Sequence, residues 1–257
     1  MSEIQLLDHG YIKLIETWGS DERIVEAARM STDGAFRGWG PVCKHTGCDF
    51  AGHVLKAHLT DQACPGCGTL VQAGDEKLLT YLYNNNHATP FEMAGAVFEV
   101  QAPIFVFREW HRHRTQSYNE LSARYTPLPD LYYVPTLERV MINSSGSNKQ
   151  AGRVEGADEL TQNVAASFIS SLQDTYECCE GLYQLALEDG VPKELARCIM
   201  PVGHYSRMRA SANLRNWLGF MTLRSAPNAQ WEIRQYSDAL NGMLAERFPR
   251  TMELFNK

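Results

Sequence analysis

Seventeen consecutive positions, Arg108 to Arg124, hold four arginines (Arg108, Arg112, Arg114, Arg124) and two histidines (His111, His113), in a chain whose formal net charge is -6. Gln116, Ser117, Asn119, Glu120 and Ser122 lie between them. A guanidinium cannot shed its proton, so burying several without counter-charge is costly. A phosphate relieves that cost, because the planar fork matches two of its oxygens. The chemistry expected is anion recognition. Glu109 and Glu120 inside the same stretch suit a focused nucleotide pocket better than a basic stripe for nucleic acid. The plainer alternative is a solvated basic helix end, favoured by the helix dipole.

A second pattern is built from cysteine. Cys43-x4-Cys48 is followed, after fifteen residues, by Cys64-Pro65-Gly66-Cys67-Gly68. Two thiolates on a tight Cys-x2-Cys turn can reach one metal, and the following glycine relieves the backbone. Cys43, Cys48, Cys64 and Cys67 are the expected ligands of a zinc-ribbon-like element over residues 38–74. His45, His53 and His58 leave a mixed ligand set open. Four protein ligands saturate tetrahedral zinc, so the ion is expected to be structural. The element's partner is unknown; a subunit contact, another protein and nucleic acid all stay open. A zinc-ribbon nucleic-acid-binding protein is the rival reading from another class. Cys178, Cys179 and Cys198 are expected to pack as small hydrophobes.

These residues need elements to position them. Pro103 predicts a helix start that continues through Arg114, with Arg108 and Arg112 on one face. Helical spacing further predicts Asp21–Met30, Asp75–Asn84, 158–188, Pro192–Met200, Tyr205–Thr222 and Asn228–Phe248. Alternation predicts a strand over Gly95–Gln101. Residues 144–156, rich in Ser, Asn and Gly, read as a mobile loop.

The run Arg112-His113-Arg114, with Ser122 eight positions beyond Arg114 and Asn119-Glu120-Leu121-Ser122-Ala123-Arg124-Tyr125 in step, resembles the signature of flavin-dependent thymidylate synthases. Asn86-His87-Ala88-Thr89-Pro90-Phe91-Glu92 resembles that family's upstream element. Residues 190–197 and 213–232 resemble its C-terminal half. The resemblance covers nearly all of the chain except about residues 36–74. It implies an α/β (α+β) fold, with long helices on a mostly antiparallel sheet, as one domain over 1–257 carrying the 38–74 insertion.

The activity implied is FAD-dependent reductive methylation of dUMP to dTMP, with methylenetetrahydrofolate as carbon donor and NADPH as reductant. Hydroxymethylation of dUMP, or modification of dCMP, stays open. Arg224 is the implied catalytic residue, a fixed cation polarising the pyrimidine. Glu109, Arg112, Glu120, Leu121, Ser122, Ala123, Arg124, Arg197 and Arg224 are implied to bind dUMP. His87, Thr89, Arg112, His113, Arg114, Glu120, Asn213, Leu214, Arg215, Gly219 and Asn228 are implied to bind cofactor. The family is homotetrameric, with sites completed by several subunits. Met93, Ala123, Gly219 and Asn228 depart from the common pattern, two of them losing a side chain that often touches flavin. No cysteine falls in the arginine cluster, which suits a route that needs no thiolate nucleophile.

Composition bounds the rest. A chain of 257 residues can bury a large core. Its acidic balance argues against bulk attraction to nucleic acid or membrane. No apolar run reaches the roughly 20 residues that span a bilayer, and the first eight residues lack a signal-peptide layout. A cytoplasmic enzyme with reduced or metal-bound cysteines is expected.

Overall fold

The computed structural model describes residues 3–43, 45–48, 63–71, 74–142 and 160–257. In chain order the elements are β1 (Glu3–Leu6), β2 (Gly10–Trp18), α1 (Asp21–Arg29), α2 (Glu76–Asn84), α3 (Ala88–Phe91), β3 (Gly95–Pro103), α4 (Ile104–Trp110), β4 (Ser117–Glu120) and α5 (Leu137–Met141). They continue with α6 (Gln162–Glu188), α7 (Lys193–Ala196), β5 (Tyr205–Asn213), α8 (Leu214–Arg224), α9 (Trp231–Arg247) and α10 (Pro249–Phe255). The fold is α+β. Five strands form one sheet in the order β1-β2-β3-β5-β4, antiparallel at both outer pairs. The predicted loop at 144–156 lies outside the described residues.

Two compact units can be distinguished. The first comprises Met1–Ile15, Val97–Ala212 and Gly219–Asn241. Its strands alternate: in β5, Ser206, Met208, Ala210 and Ala212 are buried while Arg207 and Arg209 are exposed. That period of two corrects the helix expected over Tyr205–Thr222. Small Ala and Ser at 210–212 mimic a helical sequence, but the buried face recurs every second residue. The helix proper begins at Leu214. The core centres on Trp110, whose ring centroid lies 4.5 Å from that of Phe220 and 6.3 Å from that of Tyr236. Burying such rings contributes roughly 1.5–3 kcal/mol each. Their polar tips are satisfied: Trp110 Nε1 donates to Gln116 Oε1 at 3.0 Å, and the Tyr236 hydroxyl to the Gln101 carbonyl at 2.7 Å.

The second unit comprises Glu16–Ala96, Asn213–Leu218 and Gly242–Lys257. Ile24, Val25, Leu79, Leu82, Phe91, Trp217, Leu244 and Met252 form its apolar interior. Helix α1 starts on the Ser20 cap, whose hydroxyl accepts from Arg23 N–H. Buried Asp21 accepts from the Arg250 and Thr251 amides at 2.9 and 3.1 Å, holding the start of α10. Helix α2 ends in a Schellman turn. Asn86, with φ of 55°, takes the left-handed position, and the His87 amide donates to the Leu82 carbonyl at 2.9 Å. That turn fixes where the chain delivers His87 and Thr89.

Candidate active site

In the first unit the arginine cluster is a turn set on the end of α4. The helix stops at Trp110 rather than running to Arg114, so Arg112 does not share a helical face with Arg108. The Tyr118 hydroxyl explains the stop, since it donates to the Trp110 and His113 carbonyls at 3.2 and 2.8 Å and holds them outside a helical ladder. The result splits the motif. Trp110 and Gln116 are buried, whereas Arg112, Arg114 and Arg124 are exposed. Among the described residues none forms an ion pair with Arg112, Arg114 or Arg124.

His113 turns inward. Its ring lies 4.7 Å from that of Phe220, and burial, reinforced by the Arg224 charge, pulls its pKa down to about 4. It is therefore neutral at pH 7 and acts as an acceptor: Arg224 Nε donates to His113 Nε2 at 2.9 Å. Arg224 Nη1 reaches Glu109 Oε2 at 2.7 Å, and Nη2 reaches the Glu109 carbonyl at 2.6 Å. A guanidinium has five N–H donors. Three are committed among the described residues, which leaves two for a ligand on a cation that cannot swing.

The Ser122–Tyr125 segment forms a compact turn, with the Tyr125 and Thr126 amides donating to the Ser122 carbonyl. Ser122 Oγ accepts from the Arg124 amide at 3.4 Å, and Ala123 is buried. Lys193 Nζ donates to the Tyr125 carbonyl at 3.4 Å, bringing α7 against this turn, with exposed Arg197 one residue past the helix. Beside the turn, Glu120 and Leu121 line a cleft of about 450 Å³ with Glu99, Asn119, Arg207 and Arg209. Arg209 pairs with Glu99 at 3.1 Å. Sequence reasoning missed Arg207 and Arg209; the alternation in β5 was the signal that could have found them. Gly219 has open space where a side chain would stand, and Asn228 is exposed.

In the second unit, His87 and Thr89 line a different cleft, of about 490 Å³, with Arg29, Ser31, Thr32 and Met93. Arg29 was also missed. Its Nε and Nη2 both donate to Asp75 Oδ1, the first at 2.9 Å, and the carboxylate is fully buried. The Asn213 side chain caps α8 by accepting from the Asn216 amide at 2.9 Å. Leu214 is fully buried, and Arg215 pairs with Glu92 at 2.6 Å.

The four predicted metal ligands converge in the same unit. All four sulfurs lie within 4.8 Å of one another, with Cys43 to Cys67 at 3.5 Å and Cys48 to Cys64 at 3.7 Å. A disulfide needs about 2.05 Å. Ligands about 2.3 Å from a tetrahedral zinc stand about 3.8 Å apart, so the donor set fits that ion. The Cys64 carbonyl accepts from the Gly68 amide at 2.8 Å, and Thr69 holds the Cys67 thiol down at a pKa of about 6 through its hydroxyl and amide. His45 is exposed, while His53 and His58 lie outside the described residues. The remaining cysteines depart from expectation: Cys178 and Cys198 are exposed and Cys179 is half-buried.

Arg224 is an inward arginine held by a neutral histidine, and exposed Arg112 and Arg114 flank that histidine in the chain, so cationic groups are concentrated here. Residues 13–250 match the family model of the thymidylate synthase complementing protein, and the chain belongs to that family. It is 35% identical over 254 residues to the flavin-dependent thymidylate synthase of Thermus thermophilus, covering 99% of this chain and 78% of that one. The enzyme of the same name from Thermosipho africanus is 32% identical over 255 residues, covering 99% and 94%. Among solved structures, the UMP/dUMP methylase PolB from Streptomyces cacaoi, bound with 5-Br dUMP, superposes with a TM-score of 0.73 at 28% identity, over 98% of this chain and 97% of that one. No helix of the described residues is long and apolar enough to cross a membrane.

Proposed function

We propose that the protein methylates dUMP to dTMP, with FAD as the redox cofactor, methylenetetrahydrofolate as carbon donor and NADPH as reductant. The observation that carries this reading is Arg224, fixed by three hydrogen bonds with two donors to spare. A fixed cation beside the pyrimidine stabilises negative charge as it develops, without reorganising during the reaction. Arg112, Arg124 and Arg197, with the Ser122–Ala123 turn, hold the nucleotide, chiefly its phosphate. Glu109, Glu120 and Leu121 complete its setting. Ser122 serves in binding, since among the described residues no base stands against its hydroxyl.

The residues present also fit a flavin dinucleotide, because Arg112 and Arg114 are exposed guanidiniums with no carboxylate partner among the described residues, as a pyrophosphate requires. His87, Thr89, His113, Glu120, Asn213, Leu214, Arg215, Gly219 and Asn228 are the other residues assigned to that cofactor. When bound and reduced, it supplies the hydride.

The assembly is a homotetramer of one family domain, residues 1–257 with the 38–74 insertion. Helix α6 supports this, exposing Val164, Phe168, Leu182 and Leu185 while burying only Ala165, Tyr176 and Tyr183. The four cysteines hold a structural zinc ion. The protein is cytoplasmic.

The test is mass analysis of products from purified protein given FAD, NADPH, methylenetetrahydrofolate and equal dUMP, UMP and dCMP. dTMP is the expected product. A hydroxymethylated nucleotide, or modified dCMP or UMP in its place, overturns the reaction or the substrate. Salt-dependent DNA binding with no retained flavin overturns the enzyme reading in favour of a nucleic-acid-binding protein.

A further inference from the structure

The insertion leaves and rejoins its unit at one buried carboxylate. Asp75 Oδ2 accepts from the Arg37 amide at 2.6 Å, on the outgoing limb, and the Asp75 amide donates to the Gly38 carbonyl at 3.0 Å. Its Oδ1 takes both bonds from Arg29. Arg29 in turn walls the cleft shared by His87 and Thr89. One residue before Asp75, Gly74 has its Cβ position filled by the Gly40 and Gly38 carbonyls, so the two limbs touch with no room for a side chain.

Beyond these feet, Cys43 and Cys48 belong to the outgoing limb, and Cys64 and Cys67 to the returning one. Each close sulfur pair, Cys43 with Cys67 and Cys48 with Cys64, joins one limb to the other. Cys43, Cys64 and Val71 are buried together, with Cys48 and Cys67 packed on them, so four of the five residues in this cluster are the cysteines themselves. So small a core needs a metal to hold it. The outgoing foot is pinned as well. Trp39 Nε1 donates to Glu22 Oε1 at 2.6 Å, and its ring lies under the Arg250 guanidinium at 4.3 Å.

We propose that the metal-bound cysteine knot is a brace for the Arg29–Asp75 pair, so that metal occupancy sets the shape of the cleft lined by Arg29, His87 and Thr89. This rests on the zinc reading above and is independent of the reaction assigned. With the metal in place, the knot holds Arg37 and Gly38 against Asp75, and Asp75 holds Arg29 at the cleft wall. Without it, the limbs part and the buried carboxylate loses its amide partner. Arg29 is then free to swing. Asp75 is a positioning residue in this scheme, acting on the cleft through Arg29.

The experiment is hydrogen–deuterium exchange on the full-length protein as purified, after chelation, and after zinc is restored, with metal counted by native mass spectrometry. One zinc per chain is expected. Chelation should raise amide exchange about tenfold or more over residues 29–40 and 75–80 and leave 249–255 unchanged, and zinc should reverse it. Asp75→Asn should retain the metal yet reproduce the faster exchange over 29–38. Loss of the metal with unchanged exchange over 29–40 overturns the brace and spares the zinc reading. Retention of slow exchange in Asp75→Asn also overturns it. Protein that binds no stoichiometric metal overturns both.

Discussion

Arg224 Nε donates to His113 Nε2 across 2.9 Å, a cation resting on a neutral imidazole. The histidine contributes orientation instead of charge. It sets the plane of the guanidinium from one side while Glu109 grips both Nη groups from the other. Arg224→Ala is therefore expected to fold and to bind dUMP with little loss, while turnover falls by roughly 100-fold or more. Arg224→Lys should do nearly as badly, because one ammonium cannot span His113 and both Glu109 oxygens. Single-turnover assays paired with dUMP titrations check this; turnover near wild type in either variant ends the role assigned to Arg224.

The same contact predicts a pH effect on stability. His113 titrates near 4 when folded and near 6.5 when unfolded. Between those values the unfolded chain holds the extra proton, so stability rises with pH across the window and is complete above about 6.5. Acidifying from pH 7.5 to 5 should cost the wild type about 1–2 kcal/mol more than it costs His113→Gln. Urea unfolding of both proteins at the two pH values measures the difference. Equal losses would show that His113 is not held neutral.

Cys64 lies 3.7 Å from Cys48 and is buried. Cys64→Ser should lower zinc below one equivalent per chain and reduce the melting temperature, because metal binding to so small an element is folding energy. Cys178→Ser, on the exposed face of α6, should leave the zinc content unchanged. Plasma emission counting of both variants and differential scanning fluorimetry of Cys64→Ser make the check; full zinc in Cys64→Ser refutes the ligand assignment.

Gly219 sits within α8 with open space at its Cβ position. A helix-interior glycine costs roughly 0.5–1 kcal/mol relative to alanine. Gly219→Ala should raise stability by about that much in thermal unfolding. A drop instead would mean the space is occupied in the assembled protein, as by flavin or a second subunit.

What could be read from the chain was whatever crowds chemistry into a short stretch. Residues Arg112 to Tyr125 stand out as a candidate anion site because charge and hydrogen-bonding groups are dense there. The cysteines stand out as candidate metal ligands because their spacing is local on each limb, and their four sulfurs do converge. Partners distant in sequence gave no such sign. Arg29 and Asp75 are 46 positions apart, and only folding reveals that they meet. The end of α4 was misread because its cause, a hydroxyl on Tyr118 reaching back eight residues to Trp110, lies outside helical periodicity. Strand β5 was hidden by its small residues. With it went Arg207 and Arg209, two cations that line the cleft with Glu120.

Gly74 stands against Gly38 and Gly40, so the chain returns from its cysteine excursion to the place where it left. An excursion whose two ends abut makes no demand on the spacing of the surrounding unit. Its length is invisible at the point of attachment, and a direct join from Gly40 to Gly74 spans no gap. A chain shortened to that join would still place on Asp75 the burden it now carries, of keeping Arg29 in its place.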